Sequence, residues 1–299
     1  MAQLIVNADD FGLTPGVNRA VAELHQTGVV TSTSLMARAM ATEEAIQIAL
    51  ATPSLGVGCH VVLVDGEPML RAGAIPHLVS RRTGSLHNSL AGFLTALFFK
   101  RGSHDAMVRE IEAEAAAQIA WLQSRGVRLT HIDTHKHLHM FPTVLRAVLR
   151  AARASGISAV RNPFEPIWAL RATRAPSWIR MAEVLVLRLL EPACRRTIAE
   201  EGFVTTGGTI AVVGTGNLDA AAVTALLANL EPGVWELVTH PGYNDADLQK
   251  VRTRLRQSRD IERKALHVVL NFPEIERVSF ASLQPQLPAQ SRTAESSGR

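Results

Sequence analysis

Short apolar runs rich in β-branched residues alternate with alanine-rich stretches of helical periodicity along most of this chain. Apolar runs of this length and composition are typical of buried strands. The predicted strands are Gln3–Asn7, Thr31–Met36, Leu55–Leu63, Leu129–Asp133, Ser158–Asn162, Gly208–Val213, Trp235–His240 and Arg277–Leu283. The predicted helices are Pro15–Thr27, Thr42–Leu50, His104–Arg125, Phe141–Ser155, Leu218–Leu230 and Asp245–Val269. This alternation indicates an α/β fold with parallel pairing, and the number of strands favours a (β/α) barrel over an open sheet.

The segment Phe164–Arg196 breaks the alternation, because tryptophan and leucine are interspersed there with six arginines. Two interpretations remain open: a pair of ordinary core helices, or an amphipathic helical insertion. Such an insertion would rest on a bilayer or hold an apolar substrate, with its arginines at the level of the headgroups. A second apolar patch, Phe93–Phe99, is a candidate to line the same groove. Residues 284–299 are rich in proline, serine, glutamine and threonine, which predicts a disordered tail.

Composition and charge narrow the class of protein. A chain of 299 residues with 47% hydrophobic residues can bury a substantial core. The net charge of +4 comes with no basic cluster and no stacking-aromatic motif, which disfavours a nucleic-acid partner. The same modest positive charge is compatible with attraction to an anionic membrane surface.

Nothing in the chain has the pattern of a signal peptide or of a membrane span. No charged leader precedes the first apolar run, and no apolar run reaches the roughly 18 residues that a span needs. Cys59 and Cys194 lie far apart and show no zinc or redox spacing. We therefore expect a cytoplasmic protein. A peripheral position on the inner face of the cytoplasmic membrane, and oligomerisation, stay open.

Four of the eleven histidines lie within nine residues, in the sequence T-H-I-D-T-H-K-H-L-H from Thr130 to His139. Imidazole is the most common protein ligand for transition metals. The predicted strand ends at Asp133, so the later histidines fall where a strand gives way to a loop, which is where α/β proteins assemble their chemistry. A histidine-rich surface loop is the alternative, but the interleaved apolar residues favour a half-buried setting.

Three other strand ends carry residues of the same chemistry. Asp9 and Asp10 follow the first strand, and adjacent residues of an extended chain point in opposite directions, so the two need not share one role. His60 lies in a glycine-flanked apolar strand, and His240 precedes a Pro-Gly turn. Singly, Asp10 reads as a helix cap and His60 as a core residue. Together with the histidine cluster, they predict one metal or catalytic site.

A carboxylate with two imidazoles leaves coordination positions of a metal open for water and substrate. Such a site polarises a carbonyl and lowers the pKa of water. A second aspartate nearby can remove a proton, and a histidine on the far side can donate one to a leaving group. The predicted chemistry is hydrolysis of an amide or an ester.

These motifs resemble the YdjC/ChbG-like carbohydrate deacetylases. The residues that carry the resemblance are N-A-D-D-F-G at Asn7–Gly12, V-T-S-T-S at Val30–Ser34, G-x-H at Gly58–His60, T-H-I-D-T-H-x-H-x-H at Thr130–His139 and H-P-G-Y at His240–Tyr243. They occur in the family's order, and the match runs from about residue 3 to about residue 283. The resemblance implies one domain over residues 1–283, an irregular (β/α) TIM-like barrel that removes N-acetyl groups from amino sugars with a divalent metal.

Carried over by position, the resemblance implies metal ligands at Asp10, His60 and His135. The metal is zinc or magnesium, with manganese and cobalt as alternatives. Asp9 is implied as the general base that activates water, and His240 as the residue beside the departing amine.

Other residues are implied to contact the substrate or to orient the ligands. The implied substrate contacts are Arg161, which is also placed to contact Asp9, with His137 and His139. The composition of Phe164–Arg196 adds Trp168 and Trp178 as predicted substrate contacts. His131 and Asp133 are implied to stand behind the ligands and orient them. Spacing alone would instead suggest His131 and His135 as an i, i+4 pair, an arrangement that suits a helix rather than a strand.

Within this family the chain is most similar to the hopanoid-biosynthesis-associated deacetylases. The implied substrate is an N-acetylglucosaminyl lipid with a polycyclic triterpenoid tail, and the composition of Phe164–Arg196 favours such a lipid-linked sugar. A deacetylase of soluble chito-oligosaccharides is the alternative, and a phosphoesterase is a more distant one. From another class, a silent sugar- or lipid-binding protein is disfavoured, since binding has no need of both Asp9 and Asp10.

Overall fold

The computed structural model describes residues 1–99, 102–174 and 178–283. Its strands are β1 (Ala2–Phe11), β2 (Ser32–Leu35), β3 (Gly56–Val61), β4 (Leu129–Thr134), β5 (Thr209–Ile210), β6 (Gly233–Thr239) and β7 (Glu276–Arg277). Its α-helices are α1 (Pro15–Gln26), α2 (Thr42–Ala51), α3 (Leu90–Phe98), α4 (His104–Ser124), α5 (Pro142–Ala154), α6 (Ile167–Ala172), α7 (Trp178–Leu187), α8 (Glu191–Glu200), α9 (Ala220–Ala228), α10 (Ala246–Lys250) and α11 (Ser258–Ala265). The predicted tail, residues 284–299, lies outside the described residues.

The strands form one sheet in the order β4-β3-β2-β1-β6-β5, with β7 beside β1. All of these pairings are parallel, and β1 follows β6 without interruption from Ala2–Gly233 to Ala8–Thr239. Eight of the ten residues of β1 are buried, as expected for a parallel strand with helices over its sheet. The predicted α/β class with parallel pairing is confirmed, and the sheet curves into a half-barrel.

The predicted set of eight strands is wrong in the second half of the chain. Ser158–Asn162 forms only single parallel bridges, Ile132–Val160 and Ala159–Val204. The predicted strand Gly208–Val213 shrinks to β5, because Ala211 has a φ of 72°. The carboxylate of Glu165 accepts hydrogen bonds from the backbone of Ala211 and Val213, at 2.8 and 2.7 Å, so these groups need no sheet partner.

Most predicted helices are found within a residue or two of their expected bounds. The long helix predicted over Asp245–Val269 is wrong: the chain forms α10, α11 and a 3₁₀ turn at Leu266–Asn271. Between α10 and α11, Arg256 donates to two backbone carbonyls that a continuous helix would have used itself. This break allows α11 to turn toward the sheet. The patch Phe93–Phe99 lies almost entirely in α3, a helix that periodicity did not predict.

One part of the segment Phe164–Arg196 packs against the core, as the first alternative predicted, and another part does not. Helices α6 and α8 bury residues against the core, among them Leu170 and Cys194. Helix α7, in contrast, has no buried residue. Among the described residues, no helix combines the length and the apolar character that crossing a membrane requires.

Candidate metal centre and catalytic site

Parallel pairing brings the polar ends of several strands to one edge of the sheet. Asp9 and Asp10 lie near the carboxyl end of β1, and His60 lies near that of β3. Asp133 lies near the carboxyl end of β4, and His240 directly follows β6. Because all these strands run in the same direction, residues distant in sequence meet at one edge, which is the usual place for chemistry in such folds.

The three predicted metal ligands lie together. Oδ1 of Asp10 is 3.2 Å from Nδ1 of His135 and 3.5 Å from Nε2 of His60. The two imidazole nitrogens are 3.3 Å apart. One ligand atom from each residue lies within 4.8 Å of the other two. His135 is part-exposed, whereas Asp10 and His60 are buried, so the cluster is open on one side only.

The donor set fits a divalent cation. Oδ1 of Asp10 is buried and accepts no hydrogen bond, although a carboxylate oxygen in that position normally has a partner. A carboxylate oxygen and two imidazole nitrogens are suitable ligands for zinc and for several other divalent metals. A cation between them would satisfy the orphaned oxygen and leave coordination positions for water or substrate.

A β-bulge allows adjacent aspartates to serve the same site. The register of β1 with β2 shifts between Ala8 and Phe11, and Asp10 has a φ of 62°, in the left-handed region. Aspartate tolerates this conformation better than most residues. Asp9 and Asp10 therefore do not simply point to opposite faces, since a carboxylate oxygen of each lies near His60.

Asp133 orients the ligand His60. Its Oδ1 is 2.8 Å from Nδ1 of His60, which directs Nε2 of the same ring toward Asp10. The other oxygen, Oδ2, accepts a hydrogen bond from the hydroxyl of Ser34 at 2.9 Å. Burial alone would lower the pKa of His60, but Asp133 and Asp9 raise it to about 10.

Asp9 is held by a buried guanidinium. Arg161 donates to both oxygens of Asp9, at 2.6 and 2.9 Å, and forms further ion pairs with Asp133 and Glu236. Burial would raise the pKa of Asp9, but Arg161 and His60 together lower it. The sequence placed Arg161 beside either the substrate or Asp9, and the structure places it on Asp9. The second carboxylate of the bulge is thus ionised and fixed in position at neutral pH.

His240 follows β6 directly and lies beside Asp9. Its Nε2 is 3.9 Å from Oδ2 of Asp9, and its backbone N–H donates to Glu262 at 2.6 Å. Burial disfavours the imidazolium, and although Asp9 opposes the effect, the pKa of His240 is lowered to about 4. His240 is therefore neutral near pH 7 and able to accept a proton.

The remaining histidines of the cluster lie in two places. His131 is buried below the ligands, 3.3 Å from the hydroxyl of Ser34, and stacks on Phe280 with ring centroids 3.9 Å apart. It is absent from the ligand group, so the spacing-based His131–His135 pair does not form. His139 is also buried, with Nδ1 2.7 Å from the hydroxyl of Thr134.

Two buried imidazole nitrogens near the ligands lack a hydrogen-bond partner. They are Nδ1 of His137 and Nε2 of His139, whose rings meet edge to face. Burial lowers the pKa of both residues, to about 3 for His139, so both are neutral. A substrate could bind to these unpaired nitrogens, and the predicted substrate contacts of His137 and His139 stay predictions.

The two predicted tryptophan contacts are not part of this cluster. Trp168 packs edge to face on Trp235, with ring centroids 5.2 Å apart. Trp235 pairs with Leu4, five residues before Asp9 in the strand, so this ring lies away from the carboxyl edge. Trp178 lies on α7 with 79% of its surface exposed.

Sequence reasoning missed three charged residues of the site. Arg259 donates to Oδ2 of Asp10, while Glu262 of the same helix holds the backbone of His240. Glu236 contacts Arg161, and burial raises its pKa to about 7 although Arg161 opposes the effect. Arg259 and Glu262 were assigned to an unbroken helix, and nothing in the local pattern connects Arg259 with Asp10, 249 positions earlier, or Glu262 with His240.

Comparison with known sequences identifies a family. The family described as YdjC-like protein matches residues 3–275. A carbohydrate deacetylase of Thermoanaerobacter pseudethanolicus is 29% identical over 270 residues, which are 89% of this chain and 91% of that protein. A carbohydrate deacetylase of Brevibacillus brevis is 40% identical over 165 residues, which are 54% of this chain and 60% of that protein.

Two solved structures share the fold. A protein from Enterococcus faecalis, named for cellobiose-phosphate cleavage, aligns with a TM-score of 0.71 and 24% identity, covering 94% of this chain and 98% of its own. A lactam utilization protein from Thermus thermophilus aligns with a TM-score of 0.50 and 15% identity, covering 93% and 99%. At these identities the likeness shows the fold alone.

Proposed function

The chain belongs to the YdjC-like family, and from that premise we propose that it is a metal-dependent N-deacetylase of acetylated amino sugars. The main support for the proposal is that the adjacent carboxylates Asp9 and Asp10 have different partners. Asp10 faces two imidazoles, whereas Asp9 is held ionised by Arg161 beside His240. A protein that only binds sugar would have no use for the second carboxylate. The names of the two bacterial relatives support the same activity.

The proposed ligands are suitable for any of several divalent metal ions. Asp10, His60 and His135 would hold it, and their mixture of oxygen and nitrogen accommodates zinc, magnesium, manganese or cobalt. When bound, such a cation polarises a carbonyl and acidifies water. Asp133 keeps the tautomer of His60 that turns Nε2 toward this position.

Asp9 is the proton acceptor for the attacking water. Both of its oxygens are bound by Arg161, which fixes the carboxylate in place and keeps it ionised. Oδ2 also lies 3.9 Å from Nε2 of His240. A proton taken by Asp9 therefore has a neutral imidazole close by to receive it.

His240 is the proton donor for the leaving amine, but only after it has first accepted a proton. Its pKa of about 4 leaves it neutral before turnover. In the overall reaction, the oxygen of water bonds to the acetyl carbon and the carbon–nitrogen bond breaks. The proton from water finally resides on the amine, and acetate leaves. His240 is therefore not a general acid that is already protonated before turnover begins.

For the substrate we propose an N-acetylglucosaminyl lipid, such as an acetylglucosaminyl hopanoid. The exposed apolar surface of α7 supports a lipid-linked substrate, since a sugar alone would need no such surface. Soluble chito-oligosaccharides are the second candidate, favoured by the names of the relatives, which specify carbohydrate and no lipid.

Acetate release tests the proposal. Protein reconstituted with zinc, magnesium, manganese or cobalt is incubated with an N-acetylglucosaminyl lipid and separately with diacetylchitobiose. We expect acetate and the free amine from the lipid in at least one metal form, and none after chelation. Release from the oligosaccharide alone would transfer the assignment to soluble sugars. A metal-replete protein that binds both compounds without releasing acetate would contradict the enzyme proposal.

A further inference from the structure

The outer face of α7 is apolar, which reverses the usual arrangement of a surface helix. Its exposed apolar side chains, with the fraction of surface exposed, are Trp178 (79%), Ile179 (51%), Leu185 (46%) and Val186 (64%), and Leu189 (79%) continues the face beyond the helix. At 100° per residue, the four helical side chains fall within an arc of about 120°. We call these five residues the α7 stripe.

The α7 stripe lies in a positively charged surrounding. The segment 164–196 contains six arginines against three glutamates. Arg188 and Arg195 pair with Glu191, each at 2.9 Å, whereas Arg171, Arg174 and Arg196 are exposed. Arg180 lies on the side of α7 away from the stripe, about 160° from its centre at 100° per residue. An excess of exposed arginines around an apolar helix face is typical of helices that lie in the interface of a bilayer with anionic lipids.

Helix α7 is attached to the edge of the sheet that carries the candidate site. Arg180 donates to the backbone carbonyl of Val212, two residues beyond β5, at 3.3 Å. A second exposed apolar pair, Phe98 and Phe99, lies near the same edge, because Phe98 packs 5.9 Å from Phe141, directly after the histidine turn. Exposed apolar groups from two separate segments thus accompany the carboxyl edge of the sheet.

We propose that the α7 stripe docks on a lipid bilayer with anionic headgroups. The apolar side chains enter the boundary between headgroups and acyl chains, Trp178 lies at the interface, and the exposed arginines contact lipid phosphates. A second copy of the chain is a poorer occupant, since a two-fold contact would bring two copies of the same positively charged segment together. The docking goes beyond the proposed deacetylation, because it requires neither a metal nor catalysis.

Vesicle sedimentation tests the docking directly. The full chain is mixed with vesicles of phosphatidylcholine, with or without phosphatidylglycerol, and the bound fraction is measured against lipid concentration. The variant V186S/L189S removes two exposed apolar side chains that are outside the candidate site. Two other exposed leucines, Leu50 of α2 and Leu270, provide the matched control L50S/L270S.

We expect the chain to bind the anionic vesicles, and V186S/L189S to weaken this partitioning by about tenfold or more for each side chain lost from the membrane. L50S/L270S should bind as the natural protein does. Failure to bind anionic vesicles, or equal binding by both variants, would overturn the proposal. A dimer that V186S/L189S converts to monomer would instead assign the stripe to self-association. All variants are assayed for acetate release from diacetylchitobiose, which reports on the enzyme proposal independently of docking.

Discussion

Arg259 and Asp10 form a buried ion pair in which only one carboxylate oxygen is engaged. The guanidinium donates to Oδ2, and Oδ1 is left facing His60 and His135 without a hydrogen-bond partner. Burial would raise the pKa of Asp10, but Arg259 and the two imidazoles lower it well below its ordinary value. Arg259 therefore keeps Asp10 ionised and turned toward the ligand cluster even when no cation is bound.

Removing Arg259 should destabilise the ion-free protein more than the metal-loaded one. Without Arg259, the buried carboxylate of Asp10 keeps only the neighbouring imidazoles as compensating charge, so we expect R259Q to lose about 3–5 kcal/mol of unfolding free energy in the presence of a chelator. Added zinc supplies the missing charge and should restore part of this loss. Urea denaturation with chelator and with zinc measures both values.

R125Q is the control for that measurement, because Arg125 forms an exposed ion pair with Glu43. We expect it to cost less than about 1 kcal/mol in either condition. An equal loss for R259Q with and without zinc would show that Arg259 supports packing rather than the charge of Asp10.

Substitutions of Asp9 and of Asp10 should affect turnover and metal binding differently. D9N keeps a side chain of the same size beside Arg161 but cannot take a proton, so we expect turnover to fall by about 10²- to 10⁴-fold with little change in metal affinity. D10N removes a ligand and should lose metal affinity itself. Calorimetric titration with zinc and acetate release, on both variants, give the comparison. Near-normal turnover by D9N would reject the base assignment.

Asp133 should influence metal affinity without touching the metal. Its Oδ1 fixes the ring of His60, and loss of such an orienting carboxylate typically weakens metal binding about 10- to 100-fold. We expect D133N to fall in this range in zinc titrations. S34A removes the hydrogen bond to Oδ2 and the contacts of the hydroxyl with Asn7 and His131, but it leaves the bond between Asp133 and His60, so its effect should be much smaller. If S34A weakened binding as strongly as D133N, the orientation of His60 would not be the cause.

Glu165, which is not one of the proposed metal ligands, should make the stability of the fold depend on pH. Burial raises its pKa to about 7 from an ordinary value of 4.5, despite two backbone hydrogen bonds that lower it. Its contribution is thus fully present below about pH 4.5 and is lost as pH rises through 7. The difference of 2.5 pKa values corresponds to about 3 kcal/mol.

Comparison of E165Q with the natural protein isolates that contribution. Glutamine cannot ionise, so the stability difference between the two proteins should change by about 3 kcal/mol between pH 4.5 and 8, in favour of E165Q at high pH. A pH-independent cost is also expected, because one backbone N–H loses its carboxylate acceptor. Parallel stability curves across this range would rule out the titration of Glu165.

The sequence was sufficient to predict site residues that lie at the end of a single strand or in a single loop. Asp10, His60 and His135 each follow or end an apolar run, and parallel pairing alone brings such ends together. Arg259 was not predictable, since its approach to Asp10 depends on a break between two helices. Helix α3 was missed because a run dominated by apolar residues gives no clear amphipathic period.

The length of a strand could also not be predicted from the local sequence pattern. Gly208–Val213 has the composition of a strand, but Glu165, more than forty residues earlier, takes its backbone N–H groups. Trp168 packs on Trp235, a contact that its place in an arginine-rich segment did not predict, and its predicted substrate contact stays a prediction.

The bulge at Asp10 has a consequence for protein engineering. Transplanting this chemistry onto another α/β scaffold could not be done by copying side chains onto a regular strand, which would turn the neighbouring carboxylates apart. The irregular backbone has to be carried along with them, including its left-handed residue. A recipient strand lengthened by one residue at that point is therefore the minimum unit that a designer would need to graft.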